Sequence, residues 1–205
     1  ASDKMITIID YDMGNPRSIM NMLQRLGFNS EITRDHKKIE NAKKVILPGV
    51  GSFDTAMKNL DNYGLTEPLS KKALIDKVPF LGICLGMQIL TNSSEEGELP
   101  GLGWINGRAL KFKSNADIKV PHMGWNYIKS NPNSRICFNL DPKSRFYFVH
   151  SYYVQVTNSE HSSMKTNYSL EFDSGIENDN IFGVQFHPEK SHKFGMQILK
   201  NFSEL

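Results

Sequence analysis

Short apolar runs alternate with amphipathic segments through the first half of the chain. The segment after the first run carries Ile19, Met22, Leu23 and Leu26, at the spacing typical of one helix face. The first run itself is uninterrupted and β-branched, which indicates a strand covered on both faces. The pattern predicts an α/β fold, with an open, mostly parallel central sheet, right-handed crossovers and flanking helices. The predicted strands of this half span 5–9, 28–33, 44–47 and 78–81.

Residues with known boundary preferences delimit the first two predicted helices. Asn15 suits the N-cap position, Pro16 the first helical position and Gly27 the position just past the end. Ser52 can cap a second helix, in which apolar residues recur with helical spacing over 53–60. These signals place both helices between predicted strands.

The second half of the chain has a looser alternation that predicts antiparallel strands continuing or flanking the sheet. The strongest segments lie between 104 and 112, at 120–128 and at 146–156, and another strand is predicted at 181–186. A last helix with Phe194, Ile198 and Phe202 on one face packs back on the sheet. With neither a linker nor a repeat, residues 1–205 are predicted to form a single domain. Residues 1–4 precede Met5 and are interpreted as a cloning remnant.

Composition narrows the function classes. The chain of 205 residues has a formal net charge of +2, so a broad basic field for nucleic acid is not indicated. No segment has the length of a membrane span, and neither a membrane-spanning segment nor a signal peptide is predicted. The two cysteines, Cys84 and Cys137, make no disulfide framework, and a cytoplasmic protein is expected. No cluster has metal-ligand spacing, so no metal or cofactor is predicted.

The segment around Cys84 is the strongest candidate for chemistry. A short apolar run precedes it, a helical pattern follows it, and Gly82 and Gly86 stand two residues to either side. Glycines at this spacing permit the sharp strand-to-helix turn of a nucleophile elbow, here with a thiol. The helix dipole would favour the thiolate. The alternative is a buried structural cysteine beside packing glycines.

A second glycine-containing loop, at residues 48–51, also follows a predicted strand. Alone it is most simply a tight turn. In a parallel sheet, however, the loops after the strands share one edge, so this loop and Cys84 are expected to be neighbours. The backbone N–H groups of Gly49, Val50 and Gly51 are therefore predicted to line an oxyanion hole beside the thiol.

A cysteine nucleophile needs a base, and the base needs a group that orients its ring. His187 and Glu189 provide both at the end of the strand predicted at 181–186. His150, within the segment 146–156, is interpreted as a hydrogen-bonded structural histidine.

Two further segments have competing interpretations. Met123 and Trp125 lie in a short polar context, where either core packing or a docking patch anchored by tryptophan is possible. The acidic residues at 94–98 are interpreted as a solvated loop.

Together, these motifs resemble those of the class I (triad) glutamine amidotransferases. Within that class the chain is similar to the glutaminase subunits of imidazole glycerol phosphate synthase, an enzyme of histidine biosynthesis. The resemblance covers the whole chain and is carried by the segments at 10–15, 48–51, 82–88, 121–126, 150–152 and 185–191.

The resemblance implies a reaction and a set of sites. Cys84 attacks the side-chain amide of L-glutamine, while His187 transfers the proton and Glu189 orients it. N–H groups of the 49–51 loop and of Leu85 hold the oxyanion. The positions that hold glutamine are Gln88, Ser151 and Tyr152. Ammonia passes to a (β/α)8-barrel synthase subunit that forms a heterodimer with the chain, docked on Asn15, Met123, Trp125 and Lys190.

The sequence departs from the family pattern at Asp12, where a glycine is expected, and at Pro16, where an apolar residue is expected. Both lie in the segment that faces the synthase. These departures bear on the partner more than on the chemistry, and they leave open a paralogue that supplies ammonia for a nucleotide-linked surface sugar. A free-standing cysteine γ-glutamyl hydrolase is a separate alternative. A non-catalytic subunit is a third, which the intact triad disfavours. If the chain is gated by a partner, we expect the Val50 N–H to point away from the oxyanion position until docking.

Overall fold

The computed structural model describes residues 4–205, so of the predicted cloning remnant only Lys4 lies within it. The elements in chain order are β1 (Ile6–Ile9), α1 (Pro16–Arg25), β2 (Ser30–Thr33), α2 (His36–Glu40), β3 (Val45–Leu47), α3 (Phe53–Asn62), α4 (Thr66–Ser70), a π-helical turn (Lys71–Ile75), β4 (Phe80–Ile83), α5 (Leu85–Gln88), β5 (Ser93–Ser94), β6 (Gly107–Lys111), β7 (His122–Tyr127), β8 (Lys129–Ser130), β9 (Arg145–His150), β10 (Tyr152–Val156), a 3₁₀ turn (Ser159–His161), β11 (Ser162–Tyr168), β12 (Leu170–Asn178), β13 (Ile181–Val184), a second 3₁₀ turn (Pro188–Lys190) and α6 (His192–Ser203).

One large mixed sheet organises the chain. Its strands lie in the order β2-β1-β3-β4-β13-β12-β10-β6-β5, and β11 and β8 join through β12. The portion from β2 to β13 is parallel throughout, whereas β12, β10 and β6 continue it antiparallel. This confirms the predicted α/β fold.

Apolar clusters cover both faces of the parallel portion. One includes Phe53 and Leu60 of α3 and the other includes Ile19 of α1 and Phe202 of α6. The uninterrupted apolar strands are buried on both sides for this reason. Gly27 has a φ of +86° just past the end of α1, as predicted. Asn15 stands at the N-cap of α1, but its side chain makes no capping hydrogen bond within the described residues.

The predicted strand at 146–156 is wrong as a single element. It divides at Ser151 into β9, which pairs with β7 in a separate two-stranded sheet, and β10, which pairs with β6 in the main sheet. The strand partner changes at this residue, which apolar alternation alone does not report. The antiparallel hairpin of β11 and β12 was also absent from the sequence prediction.

Candidate active site

The elbow around Cys84 has the geometry that its glycines predict. Cys84 joins β4 to α5 with a φ of +57°, a conformation that non-glycine residues rarely adopt. A Cβ on Gly82 would lie 2.4 Å from the carbonyl oxygen of Gly86, and one on Gly86 would lie 2.0 Å from that of Leu47. The two glycines are thus required for close approach of the backbone beneath the thiol.

The helix after the elbow is shorter than its sequence pattern suggests. It forms a single turn that ends at Gln88, with Ile89 as its C-cap. Cys84 stands at its N-cap, as expected, but a single turn has only a small dipole, so dipole-assisted thiolate formation stays a prediction. A neighbouring side chain is the other possible source of activation.

His187 supplies that neighbour. It follows β13, which lies parallel to β4 with Val184 opposite Ile83, so the two strand ends deliver His187 and Cys84 to the same edge. Nδ1 of His187 lies 2.7 Å from Oε1 of Glu189, and both side chains are buried. Nε2 of His187 has no hydrogen-bond partner of normal geometry among residues 4–205, so this nitrogen is available for proton exchange with the thiol.

The electrostatics of this histidine favour its charged form. Burial lowers the pKa of His187, but the adjacent Cys84 sulfur and the Glu189 carboxylate more than offset burial and raise the pKa to about 10. The backbone is also held, because the Ser191 hydroxyl donates to the carbonyl of His187 and accepts from the N–H of Tyr147. Glu189 therefore fixes the orientation of the ring through Nδ1, and Ser191 fixes the backbone that carries the ring.

A buried amide pair beside the thiol was not recognised in the sequence. Nε2 of Gln185 lies 3.7 Å from Sγ of Cys84, and Oε1 of Gln185 accepts a hydrogen bond from Gln88 at 3.1 Å. Nε2 of Gln88 also lies 3.2 Å from the carbonyl oxygen of Tyr152. The available signal was a glutamine between the apolar residues Val184 and Phe186, since an uncharged polar group in such a run needs a buried partner.

The predicted oxyanion loop lies against the elbow, but its N–H groups are not all available. The N–H of Leu85 donates to the carbonyl oxygen of Gly49 at 3.2 Å. Because C=O and N–H point in opposite directions across one planar peptide, the Val50 N–H points away from the site. The hydroxyl of Tyr11 donates to the carbonyl of Pro48 at 2.5 Å and holds the start of this loop.

A cavity of about 430 Å³ opens above the thiol. Its lining brings together seven residues predicted from the sequence: Val50, Gly51, Cys84, Leu85, Gln88, Ser151 and Tyr152. Gly49 is not among the lining residues.

The lining also contains Glu96, Lys111 and His150, whose contribution to the cavity was not predicted. The interpretation of 94–98 as a solvated loop is wrong for Ser94, which is buried in β5, whereas Glu96 is exposed and its carboxylate also accepts the N–H of Phe53 at 2.7 Å. The prediction that His150 is hydrogen-bonded is confirmed by its contacts with His122 and with the carbonyl of Tyr152.

The residues predicted to dock a partner are exposed. Met123 is 61% and Trp125 44% exposed, and Asn15 and Lys190 are exposed as well. The core-packing alternative for Met123 and Trp125 is therefore wrong. The indole of Trp125 stacks on the ring of His192, with the two planes 5° apart.

Asp12, where the resemblance led us to expect a glycine, adopts a backbone conformation that suits glycine. Its φ is +65°, in the left-handed region that glycine adopts most readily. Arg34 donates to the carboxylate at 2.9 Å and the hydroxyl of Tyr63 donates to its other oxygen. These hydrogen bonds, that from Tyr63 first, lower the pKa of Asp12, so the carboxylate stays charged and holds the turn.

The second cysteine has no comparable setting. Cys137 is buried and unpaired, and burial raises the pKa of its thiol to about 11. Cys137 is therefore a packing residue of the core. Within residues 4–205 there is no group of three His, Cys, Asp or Glu side chains that could hold a metal ion. In the same part of the chain, every helix is too short or too polar to cross a membrane.

The fold and the elbow define a class of protein that comparison with known families identifies. A family model described as glutamine amidotransferase class-I matches residues 7–204, and the chain belongs to this family. More particularly, it is 56% identical over 198 residues to imidazole glycerol phosphate synthase subunit HisH 2 of Methanococcus maripaludis, covering 97% of this chain and 98% of that protein. It is 47% identical to the subunit HisH 2 of Pseudomonas aeruginosa, over 98% of this chain and 100% of that protein.

Solved structures agree on the fold. PurLQS from Thermotoga maritima superposes with a TM-score of 0.75 at 19% identity, covering 98% of this chain and 97% of that one. A glutamine amidotransferase from the same organism gives 0.63 at 16% identity, covering 98% of this chain and 80% of that one. At this identity the likeness supports the architecture alone.

Proposed function

We propose that the chain is a cytoplasmic, single-domain glutaminase that uses Cys84, His187 and Glu189 to release ammonia from L-glutamine for a synthase of histidine biosynthesis. The observation that carries the proposal is the setting of His187. Its Nδ1 is hydrogen-bonded to Glu189 at 2.7 Å, its Nε2 has no other partner among the described residues, and its ring is adjacent to Cys84, which lines the cavity. This is the order of nucleophile, base and orienting acid that thiol acyl transfer requires.

The chemistry balances with these groups alone. Nε2 of His187 takes the thiol proton, and Sγ of Cys84 attacks the carboxamide carbon of glutamine. The tetrahedral intermediate collapses to a thioester as His187 returns the proton to the leaving nitrogen, which departs as ammonia. Water then attacks the thioester with His187 as base, and glutamate and the free thiol result. The high pKa of His187, about 10, means that the imidazole holds the proton it receives until the leaving nitrogen accepts it.

The cavity lining matches the ends of the substrate. Glutamine carries an α-ammonium and an α-carboxylate besides its amide. Glu96 and Lys111, which both line the cavity, supply the opposite charges. Gln88, Ser151 and Tyr152 line the same cavity and provide neutral hydrogen-bonding groups. We assign binding of the amino-acid end to Glu96 and Lys111 on this complementarity.

The resting site requires a rearrangement before it can hold an oxyanion. With Gly49 accepting from Leu85, the position where the oxyanion would form meets a carbonyl dipole of the wrong sign. Rotation of the Gly49–Val50 peptide would free the Leu85 N–H and turn the Val50 N–H inward, giving two donors. Such a switch would limit glutamine hydrolysis until a partner is bound.

A (β/α)8-barrel synthase subunit is the proposed partner, and a heterodimer the proposed assembly. The names of the similar proteins describe subunits of imidazole glycerol phosphate synthase, and the ammonia acceptor is assigned on that basis. Met123 and Trp125 supply a large exposed apolar surface of the kind that anchors interfaces. Asn15 and Lys190 are exposed as well and are assigned to the same docking face.

The test is glutamine hydrolysis by the purified chain, alone and with its cognate barrel synthase and the synthase substrate, with Cys84→Ala as the blank. We expect turnover to rise at least tenfold with the partner and to vanish in the variant. Full turnover by the chain alone would identify a free-standing hydrolase. Stimulation only by a barrel that amidates a nucleotide-linked sugar would reassign the acceptor while keeping the triad.

A further inference from the structure

A chain of hydrogen bonds links the exposed strand β7 to the wall of the cavity. The Asn126 amide nitrogen lies 3.1 Å from Nε2 of His122, and Nδ1 of His122 lies 2.9 Å from Nε2 of His150. Nδ1 of His150 lies 2.8 Å from the carbonyl oxygen of Tyr152. Both imidazoles are buried, and neither takes part in the proton transfers assigned to His187.

The two ends of this chain determine the direction of every hydrogen bond in it. The Tyr152 carbonyl can only accept, so Nδ1 of His150 carries a proton and, in the neutral ring, Nε2 accepts. His122 must then donate from Nδ1 and accept at Nε2. At the far end, the side-chain oxygen Oδ1 of Asn126 accepts a hydrogen bond from the backbone N–H of Tyr127 at 2.7 Å. The side-chain nitrogen Nδ2 of Asn126 donates to the backbone carbonyl of Asn167 at 3.0 Å. Asn126 is thereby oriented to donate to His122.

The surroundings keep both rings neutral. The ring of His122 stacks between those of Phe148 and Tyr168, and the ring of Phe172 packs against that of His150. Burial lowers the pKa of His122 to about 4 and that of His150 to about 3. At neutral pH the tautomer of each ring is therefore the one that its hydrogen bonds require.

The chain of bonds bridges the place where the backbone changes sheets. β9 ends at His150 beside β7, and β10 begins at Tyr152 beside β6. The His150 ring reaches across this break to the Tyr152 carbonyl, which also accepts from Gln88. Asn126 lies on β7 between the exposed side chains of Trp125 and Tyr127. The same bonds therefore touch both the docking strand and the glutamine-holding residues.

We propose that His122 and His150 form a positioning pair, which holds Tyr152 and Gln88 in the geometry that binds glutamine and couples them to the docking strand β7. The inference rests on the proposed function, because it assigns Tyr152 and Gln88 to the substrate. His122 and His150 act through these residues and do not touch the reacting atoms.

Substitutions at His122 separate positioning from stability. An asparagine amide nitrogen can take the place of Nδ1 and still donate to His150, whereas phenylalanine fills the volume without a donor. With the partner present, we expect His122→Phe to raise the KM for glutamine by about three- to tenfold, with a smaller change in kcat, and His122→Asn to restore most of it. Thr166→Val is the matched control, because it removes another buried side-chain hydrogen bond, that to Ser174, on strand β11 away from the cavity. An unchanged KM in His122→Phe would overturn the proposal.

A second measurement does not depend on activity or on the folding of variants. In the unaltered chain with ¹⁵N-labelled histidine, NMR at neutral pH should show Nδ1–H and unprotonated Nε2 for both His122 and His150. This is the opposite of the tautomer usual in free histidine. An Nε2–H signal from either ring would overturn the inference even if turnover requires Cys84. Absence of turnover that requires Cys84 would contradict the proposed function and with it the assignment of Tyr152 and Gln88 to glutamine, whereas the NMR result would still show whether the hydrogen bonds run as inferred.

Discussion

Cys84 and Asp12 both adopt a backbone conformation that glycine prefers, with φ values of +57° and +65°. Such strain costs on the order of 1–3 kcal/mol at each residue and persists where neighbouring groups hold it. At Cys84 the close backbone approach at Gly82 and Gly86 leaves little alternative. At Asp12, on the surface, the hydrogen bonds from Arg34 and Tyr63 hold the residue in this conformation.

The elbow should therefore be intolerant of a single added methyl group. In Gly82→Ala the new Cβ would meet the Gly86 carbonyl oxygen at 2.4 Å, and backbone cannot move as a side-chain end can. Gly27→Ala is the matched control, since its Cβ would meet nothing within 4 Å and the change costs only the left-handed strain of about 1 kcal/mol. In denaturant unfolding, Gly82→Ala should lose clearly more stability than Gly27→Ala. Equal losses would show that the elbow can relax.

Among the elements, the two-stranded sheet of β7 and β9 carries the exposed side chains that are predicted to dock a partner. Outward side chains of β7 at Met123, Trp125 and Tyr127 alternate with less exposed ones, while β9 connects directly to the cavity through Ser151. One face of a small sheet is thus left for a partner, and its inner side carries the histidine pair.

Docking through this sheet can be tested at Trp125. Because its side chain is 44% exposed, Trp125→Ala should alter the unfolding midpoint little, yet weaken binding of the barrel subunit by at least about 2 kcal/mol, as for an interface anchor. Isothermal titration calorimetry measures the affinity. Phe138→Ala provides the control, as this aromatic residue is 72% exposed but lies outside the predicted face. An equal effect of both variants would contradict a specific role for Trp125.

At the scale of the whole molecule, buried histidines determine how stability depends on pH. The lowered pKa values of His122 and His150, about 4 and about 3, mean that the unfolded chain binds their protons more tightly than the folded chain. Their contribution is present above the unfolded value of about 6.5 and is lost as the pH falls toward 4. His187 has the opposite sign: its contribution is complete below about 6.5 and is lost as the pH rises through about 10.

The free energy of unfolding should therefore decrease between about pH 6.5 and 4.5, before most carboxylates titrate. Denaturant unfolding in a series of buffers measures this slope. In His122→Asn the slope should be smaller, because one of the two responsible groups is gone. A flat profile over this interval in the unaltered chain would mean that the two rings are not held neutral.

The sequence by itself determined the features that local spacing encodes. The parallel strands, the elbow at Cys84 and the neighbouring positions of His187 and Glu189 follow from patterns a few residues long, because backbone conformation responds to nearby residues. The tertiary structure decided what depends on distant partners. The break at Ser151 reflects pairing with two different strands, and Gln185 reaches Gln88 across 97 positions. Glu96 and Lys111 join the cavity wall only through folding, and His122 meets His150 only because β7 and β9 pair. Such contacts depend on strand order and side-chain packing, which short patterns do not contain.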